Sequence, residues 1–331
     1  MSSSLLPTLS VVVPNYNHAQ YLQSCLLAIL RQSVQPFEVI VLDDASIDNS
    51  VEVIRRIAAQ NPLIRLVQNE KNIGVMPNVN KGLDISRGDY VFFGAADDEV
   101  YPGLFEKSLN LLAQHPQAAF SCTIGDWREV ATGLHWHMGV GMGDKPCYIS
   151  PAQIVNLERR DRFFFVSNTA VYRRQALLEV KKFIPELKWH ADWFALYASG
   201  LRHGFCFLPE VLGRLNILKT SFLHSGRSKE AAHRALLHRI LELLTSPEFR
   251  KEGDLVREAG SLYVFGMPML KLLLSQPEYR RFLTPNFLRK NLWQSTKLFV
   301  KRFLPAPLGN LYLRIAGYRK RTATGTSACC D

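Results

Sequence analysis

The sequence has few cysteines, and they form no pattern that defines a site. They include no CxxC pair and no regular spacing, and they are Cys25, Cys122, Cys147, Cys206, Cys329 and Cys330. Structural zinc sites and the disulfide frameworks of small secreted proteins both depend on such patterns. The sequence therefore predicts neither of them, and we expect a reducing compartment.

Long apolar segments and a glycine-rich phosphate loop are also missing. No apolar run reaches the roughly 18 residues that mark a membrane-spanning helix, so we expect none. The opening residues MSSSLLPTL lack the cationic flank and apolar core of a signal peptide, which leads us to expect a cytoplasmic protein. The first predicted strand is followed by PNYNHAQ, which contains no glycine. This excludes the GxGxxG loop of a nicotinamide-dependent dehydrogenase.

Acidic residues are absent from most of the C-terminal part of the chain. Between Tyr279 and Cys330 the sequence has 11 basic residues and no acidic one. The formal net charge of the chain is +11, and the excess lies in residues 219–331, because residues 1–218 are nearly neutral. Aromatic and aliphatic residues interleave with these bases, as in a helix that lies in a membrane interface. Two interpretations stay open, namely an anionic membrane surface or packing on the protein's own core. Nucleic acid is not expected, because no recognition module is visible.

Two predicted strands end in paired carboxylates. The run FEVIVL precedes Asp43 and Asp44, and the run YVFF leads through three small residues to Asp97 and Asp98. Strands that alternate with amphipathic helices indicate βαβ crossovers and a mainly parallel sheet. Ligands of such sheets bind at the carboxyl ends of the strands. Because magnesium needs only one or two carboxylates when substrate phosphates supply the remaining oxygens, the sequence predicts a metal and phosphate site at this edge.

The remaining segments give less specific predictions. A first strand, LSVVV, ends at Pro14 in a polar turn, and residues 125–148 are predicted to form a mobile loop or short hairpin that faces a substrate. A short strand is predicted at residues 204–208, and helices are predicted beyond Thr220.

Four motifs, in this order, resemble the inverting family-2 glycosyltransferases of the GT-A fold, which use nucleotide-activated sugars. They are VVVPNYN, VLDDASIDNS, NIGVMPNVNKGLDISRGDYVFFGAADDE and HADWFALYASGLRHG. The resemblance covers residues 9–218 and implies a Rossmann-like α/β domain with a mainly parallel sheet flanked by helices. We therefore expect a disordered N-terminus at residues 1–8, a catalytic domain at 9–218 and a helical, basic extension at 219–331.

The resemblance implies a nucleotide-sugar site made of Pro14, Asn15, Tyr16, Asn17, Asp43, Asp44, Asn72, Gly74, Lys81, Asp97 and Arg214. The turn after the first strand and Asp44 would hold the base and ribose, and Asp43 would support them. Arg214 would lie near the diphosphate, with Asn216 and His224 beside it.

The resemblance also implies a catalytic group and a metal. Asp98, with Asp97, would hold Mg²⁺ or Mn²⁺ on the diphosphate, and Asp192 would be the catalytic base. The expected reaction transfers a sugar from a nucleoside-diphosphate sugar to a hydroxyl of a glycan or lipid-linked acceptor, with inversion, in cell-surface polysaccharide biosynthesis. The basic extension would hold the enzyme peripherally on the cytoplasmic face of the plasma membrane.

Two departures from the family pattern leave alternatives open. Ala95 stands where many members have an acid, and Ala191 precedes the expected base where Glu is frequent. A non-catalytic, membrane-associated binding protein of the same fold would also fit. A sugar nucleotidyltransferase shares the sheet type, but the glycine-rich loop with Arg and Lys that it would need after the first strand is absent.

Overall fold

The computed structural model describes residues 6–131, 133–218 and 230–303. The strands of the described chain are β1 (Leu9–Asn15), β2 (Glu38–Asp43), β3 (Ile64–Gln68), β4 (Tyr90–Phe93), β5 (Glu99–Val100), β6 (Phe120–Glu129), β7 (His135–Met138), β8 (Cys147–Ile149), β9 (Val171–Arg173) and β10 (Phe205–Ile217). They form one sheet in the order β3-β2-β1-β4-β9-β6-β10-β5, with β7 beside β6 and β8 beside β10.

Helices cover both faces of this sheet. The helices before residue 219 are α1 (Ala19–Leu30), α2 (Ser50–Ala58), α3 (Val75–Ile85), α4 (Leu104–Gln114), α5 (Pro151–Arg159), α6 (Arg174–Glu179) and α7 (Ala191–His203). One face packs against α1, α2 and α4, and the other against α3, α5, α6 and α7. Val11 and Val13 of β1 face the first layer, and Val12 faces the second. Because β1 and β2 are buried on both faces, their sequences are continuous apolar runs.

The first half of the sheet is parallel, as predicted. β1 lies between β2 and β4 and pairs with both in parallel, and β2 pairs in parallel with β3. The carboxyl ends of β2 and β4 therefore lie at the same edge, about 10 Å apart at two strand spacings. The predicted α/β fold is confirmed. The strand pairings place the ends of β2 and β4, which the paired acids follow, at one edge of the sheet.

The second half of the sheet is mixed. β9 pairs antiparallel with both β4 and β6, and β10 runs parallel to β6. The strand predicted at residues 204–208 continues to Ile217, through two register shifts close to Pro209, which has no N–H to donate to a neighbour. The irregular segment begins as a hairpin, because β6 runs on to Glu129 and pairs antiparallel with β7. These extensions bring the ends of β6 and β10 to the edge that carries the acids.

The helices of residues 230–303 pack on the sheet-bearing part of the chain. They are α8 (Glu230–Thr245), α9 (Arg250–Ala259), α10 (Gly266–Ser275) and α11 (Pro285–Phe303). Phe249 contacts Phe194 of α7 with ring centroids 5.1 Å apart, and Lys290 pairs with Glu158 of α5 at 3.0 Å. The described part of the basic extension therefore shares the core of the protein. No helix in the described ranges is long and apolar enough to cross a membrane.

Some sequence predictions concern positions outside the described residues. They involve residues 1–5 of the predicted N-terminal segment and residues 219–229 and 304–331 of the predicted basic extension, which include His224, Cys329 and Cys330. Thr8, at the end of that segment, is described, and its backbone N–H and hydroxyl both donate to Oδ2 of Asp89, at 3.0 and 2.7 Å.

Candidate active site

Asp43 organises the turn after β1. Its buried carboxylate accepts hydrogen bonds from Asn15 Nδ2 at 2.8 Å, from Ser46 Oγ at 2.6 Å and from the Ser46 backbone N–H at 3.0 Å. Asn17 lies in the left-handed backbone region (φ 56°), where its N–H donates to Ser46 Oγ and its Oδ1 accepts from the N–H of Ile47. Asp43 thus shapes the turn at residues 14–17. Tyr16 of this turn is exposed, and Pro14 is half-buried.

Asp44 holds the loop that precedes α3. Its Oδ1 accepts from Asn69 Nδ2 at 2.7 Å and from the N–H of Ile73 at 2.9 Å, and its Oδ2 accepts from the N–H of Gly74 at 2.9 Å. Lys81 donates to Asn69 Oδ1 at 2.6 Å, which ties α3 to the same loop. A carboxylate has about four acceptor positions, so Asp44 keeps one for a ligand after these three bonds.

Two of the residues predicted for the nucleotide site are part of this loop. Asn72 Oδ1 accepts from the N–H of Gly74 at 3.0 Å, and Gly74 has φ +90°. A Cβ at position 74 would meet no atom within 4 Å, so the glycine is needed for its backbone conformation and not for space. The structure thus brings Asp44, Asn72, Gly74 and Lys81 together at the end of β2.

Asp97 and Asp98 follow β4 and lie against the end of β10. The N–H of Asn216 donates to Asp98 Oδ1 at 3.1 Å, and Asn216 Nδ2 donates to the Asp97 carbonyl at 2.8 Å. Burial, with the neighbouring Asp97 charge second, raises the pKa of Asp98 well above its ordinary value. Burial also raises the pKa of the Cys25 thiol behind them, to about 12. The Asp98 carboxyl is therefore costly to ionise unless a cation lies beside it.

Asp192 lies in the first turn of α7. Its Oδ1 accepts from the N–H of Trp193 at 2.7 Å, and the Ser167 side chain is a further hydrogen-bond partner. Burial raises the pKa of Asp192, and its charge contributes to the raised pKa of the Tyr172 hydroxyl. Tyr172 lies on β9, which pairs directly with β4, and its ring contacts Phe93 with centroids 5.7 Å apart. Asp192 therefore lies near Tyr172 of β9, the strand that pairs with β4.

Arg214 is held by carboxylates of the protein. Its Nε and one terminal nitrogen each lie 2.8 Å from Asp126 Oδ2, and its other terminal nitrogen lies 3.4 Å from Glu99. Its guanidinium also lies over the Tyr101 ring, 5.7 Å from the centroid. The structure therefore places Arg214 near the acids but in a network that already neutralises its charge.

Several residues of this region were not predicted from the sequence. Ser46, Asn69 and Ser167 bond directly to Asp43, Asp44 and Asp192, respectively. The only available signal was their position in polar loops that follow strands or precede helices. Which acid each one would meet depends on the fold.

The sheet carries acidic side chains at the carboxyl ends of its strands, where ligands of α/β sheets bind, and comparison with known proteins identifies the family of this domain. The chain belongs to glycosyl transferase family 2, whose family description matches residues 10–180. This membership supports a transferase and not the non-catalytic binding protein that the sequence left open.

Curated relatives share part or most of the chain. An uncharacterized glycosyltransferase, YibD, of Escherichia coli is 34% identical over 128 residues, which are 39% of this chain and 37% of that protein. A relative from Haemophilus influenzae is matched over 44% of its length, so the chain spans less than half of these two proteins. The GalNAc(5)-diNAcBac-PP-undecaprenol beta-1,3-glucosyltransferase of Campylobacter jejuni is 26% identical over 81% of this chain and 84% of its own.

Solved structures share the fold. S. aureus TarS 1-349, in complex with UDP-GlcNAc, superposes with a TM-score of 0.60 at 18% identity, over 76% of this chain and 71% of that one. The mannosyltransferase PcManGT of Pyrobaculum calidifontis, in complex with GDP-Man and Mn²⁺, has a TM-score of 0.52 at 19% identity, over 88% of each chain.

Proposed function

We propose that the protein is an inverting glycosyltransferase that moves a sugar from a nucleoside-diphosphate sugar to a hydroxyl of a glycan or lipid-linked acceptor. The observation that carries this proposal is the order of the strands, which puts the ends of β2 and β4 at one edge of the sheet and β9 directly beside β4. Asp44 directly follows β2, Asp97 and Asp98 follow β4, and Asp192 lies near Tyr172 of β9. The name of the C. jejuni relative supports an undecaprenol-linked acceptor, and TarS and PcManGT support a nucleotide-sugar donor.

The nucleoside of the donor would bind at the ends of β1 and β2. Asp44 keeps an acceptor position for a base N–H or a ribose hydroxyl, and its in-chain bonds hold it in place before the ligand arrives. Asn15 is fixed by Asp43, and Tyr16 is exposed on the turn beside it, where its ring can pack on a base. Rigid placement of these groups lowers the entropic cost of binding.

A divalent cation fits at Asp97 and Asp98. Within the residues that the structure describes, no three or more His, Cys, Asp or Glu side chains are grouped to hold an ion by themselves. Two carboxylates suffice for Mg²⁺ or Mn²⁺ when a substrate diphosphate supplies the remaining oxygens. Burial raises the pKa of Asp98, so a cation beside it would stabilise its ionised form. When bound, such an ion stabilises the negative charge of the departing diphosphate.

Asp192 would accept the proton of the acceptor hydroxyl as its oxygen attacks the anomeric carbon. Burial raises the pKa of this carboxyl, which makes it a stronger base than an exposed aspartate. The bonds from the Trp193 N–H and Ser167 use part of its acceptor capacity and hold it in position. One displacement with one base inverts the anomeric configuration, in contrast to the two flanking carboxylates of glycoside hydrolysis.

The function is tested with a panel of donors. UDP, GDP, ADP, CDP and dTDP are titrated into the protein with Mn²⁺, and the sugar nucleotides of the best-bound base are then assayed for hydrolysis and transfer. NMR of the product gives its anomeric configuration. We expect one base to bind preferentially and the product to be inverted. Absence of binding to all five diphosphates, or a product that retains configuration, would refute the proposal.

We also propose that residues 219–331 form an extension that holds the catalytic domain on an anionic phospholipid surface at the cytoplasmic face of the plasma membrane. Large apolar side chains of α10 and α11 are exposed; they are Met267, Leu274, Leu288, Leu292 and Trp293. The basic excess of this part of the chain would complement anionic headgroups.

The membrane proposal predicts that an acidic residue among these exposed apolar side chains weakens binding to the membrane. In flotation with phosphatidylglycerol vesicles, Leu292→Glu should reduce the bound fraction, since Leu292 is 70% exposed. Phe37→Glu, at an exposed aromatic residue that directly precedes β2, is the control. Equal flotation of wild type and Leu292→Glu would contradict the proposal.

A further inference from the structure

A cavity of about 500 Å³ opens beside Asp97 and Asp98. Its walls come from α1, from the segment between β4 and α4, and from the ends of β6 and β10, and Tyr21, Asp98, Tyr101, Arg128 and Asn216 are among its lining residues. The carboxylates proposed for the metal thus share one cavity with the cationic side chain of Arg128, which was not identified from the sequence.

The strand register explains why Arg128 lies there. In the parallel β6–β10 pair, Asp126 is opposite Arg214 and Arg128 is opposite Asn216. Residues paired in register point to the same face of a sheet, and so do residues two apart on one strand. Arg128 therefore lies on the same face of the sheet as the Asp126–Arg214 ion pair. The Asn216 side chain, which donates to the Asp97 carbonyl, lies on this face too.

Arg128 differs from Arg214 in its available charge. Arg214 is paired with Asp126 and Glu99, whereas Arg128 is an exposed residue whose guanidinium has no hydrogen bond or ion pair with other residues of the described ranges. Its charge is therefore available to a ligand in the cavity. Planar guanidinium groups bind phosphate oxygens through two parallel N–H donors, and such charge-assisted bonds are about twice as strong as neutral ones.

We propose that Arg128 binds the diphosphate of the sugar-nucleotide donor, in the position that the sequence had assigned to Arg214. This proposal rests on the proposed function. Arg128 would donate N–H hydrogen bonds to phosphate oxygens, while the bond between the anomeric carbon and the phosphate oxygen breaks and the electron pair remains on that oxygen. Asp97 and Asp98 would hold a divalent cation that neutralises the same diphosphate, and Arg214 would support Asp126 and Glu99.

The experiment compares Arg128→Gln with Arg128→Lys and with Arg31→Gln. Arg31 is an exposed arginine at the end of α1 and outside the cavity lining, so its substitution makes the same change in net charge. Each protein is titrated, with Mn²⁺ present, with the nucleoside diphosphate that wild type binds best and with the corresponding nucleoside. Thermal unfolding is measured for each, and donor and acceptor KM are then determined.

We expect Arg128→Gln to weaken diphosphate binding about tenfold to a hundredfold and nucleoside binding by less than about twofold. Arg128→Lys should recover part of the loss, and Arg31→Gln should match wild type. An unchanged diphosphate affinity in Arg128→Gln would overturn the proposal and leave the proposed function standing. Equal losses for diphosphate and nucleoside would also overturn it, as would a change confined to acceptor KM. If no nucleoside diphosphate binds wild type, both proposals fail.

Discussion

The buried ion pair between Lys290 and Glu158 gives a quantitative prediction about the C-terminal helices. Both side chains are 2% exposed, and Lys290 Nζ lies 3.0 Å from Glu158 Oε2. The hydroxyl of Tyr197 on α7 donates to the other oxygen of Glu158, and the ammonium of Lys290 lies 4.7 Å from the centroid of the Tyr263 ring. This network connects α5 and α7 with residues of the C-terminal region.

Lys290→Met removes the positive charge and leaves the Glu158 carboxylate buried. That carboxylate still accepts the hydrogen bond from the Tyr197 hydroxyl. Loss of one member of a buried ion pair costs about 3–5 kcal/mol, because the remaining charge is uncompensated. The free energy of unfolding of a whole domain is only about 5–15 kcal/mol, so this loss is large. Replacing both members, in Lys290→Met with Glu158→Gln, removes the buried charge altogether and should restore most of the loss.

Urea-induced unfolding of the full chain, followed by tryptophan fluorescence, measures these differences. Lys271→Met, at an exposed lysine of α10, is the control and should change the free energy of unfolding by less than about 0.5 kcal/mol. The reasoning would be refuted if Lys290→Met cost less than about 1 kcal/mol, or if the double variant were no more stable than the single one.

Three further predictions concern backbone packing, donor binding and pH. Gly253→Ala should destabilise the protein by more than about 2 kcal/mol in thermal unfolding, because its Cβ would lie 2.0 Å from the Leu244 carbonyl oxygen, whereas Gly94→Ala, with 3.4 Å to the nearest atom, should be tolerated. Asp44→Asn should raise donor KM about tenfold or more in steady-state kinetics, with acceptor KM unchanged. The substitution replaces one carboxylate oxygen, which accepts hydrogen bonds from N–H groups, with an amide nitrogen that can only donate. Burial raises the pKa of Asp192 from 3.8, so the base is protonated, and inactive, below that raised pKa. As pH increases, kcat/KM should therefore rise through a midpoint above 3.8. A midpoint at or below 3.8 would contradict the role of Asp192 as the base.

The positions of the acids could be predicted from the sequence because they depend on local patterns. Continuous apolar runs indicate strands buried on both faces, and the βαβ spacing makes those strands parallel. From these two facts Asp43, Asp44, Asp97 and Asp98 follow at one edge of the sheet, where the strand pairings place the ends of β2 and β4.

Pairing between side chains could not be predicted in the same way. Arg214 meets Asp126, which is 88 residues away in the chain, because two strands run parallel in one register, and the sequence contains no signal of that register. For the same reason Arg128 was not identified, although it belongs to the segment expected to face a substrate. The packing of α11 on α5 likewise depends on Lys290 and Glu158, which only the folded chain brings together.

In the proposed reaction Asp192 is the base, and the donor is bound by other residues, namely Asp44 and those near Asp98. The most direct test compares Asp192→Asn with wild type for transfer rate and for the affinity of the preferred nucleoside diphosphate. We expect the rate to fall about a hundredfold to ten-thousandfold, while the affinity changes by less than about twofold. An undiminished rate, or a parallel loss of nucleotide binding in a folded variant, would contradict the assignment.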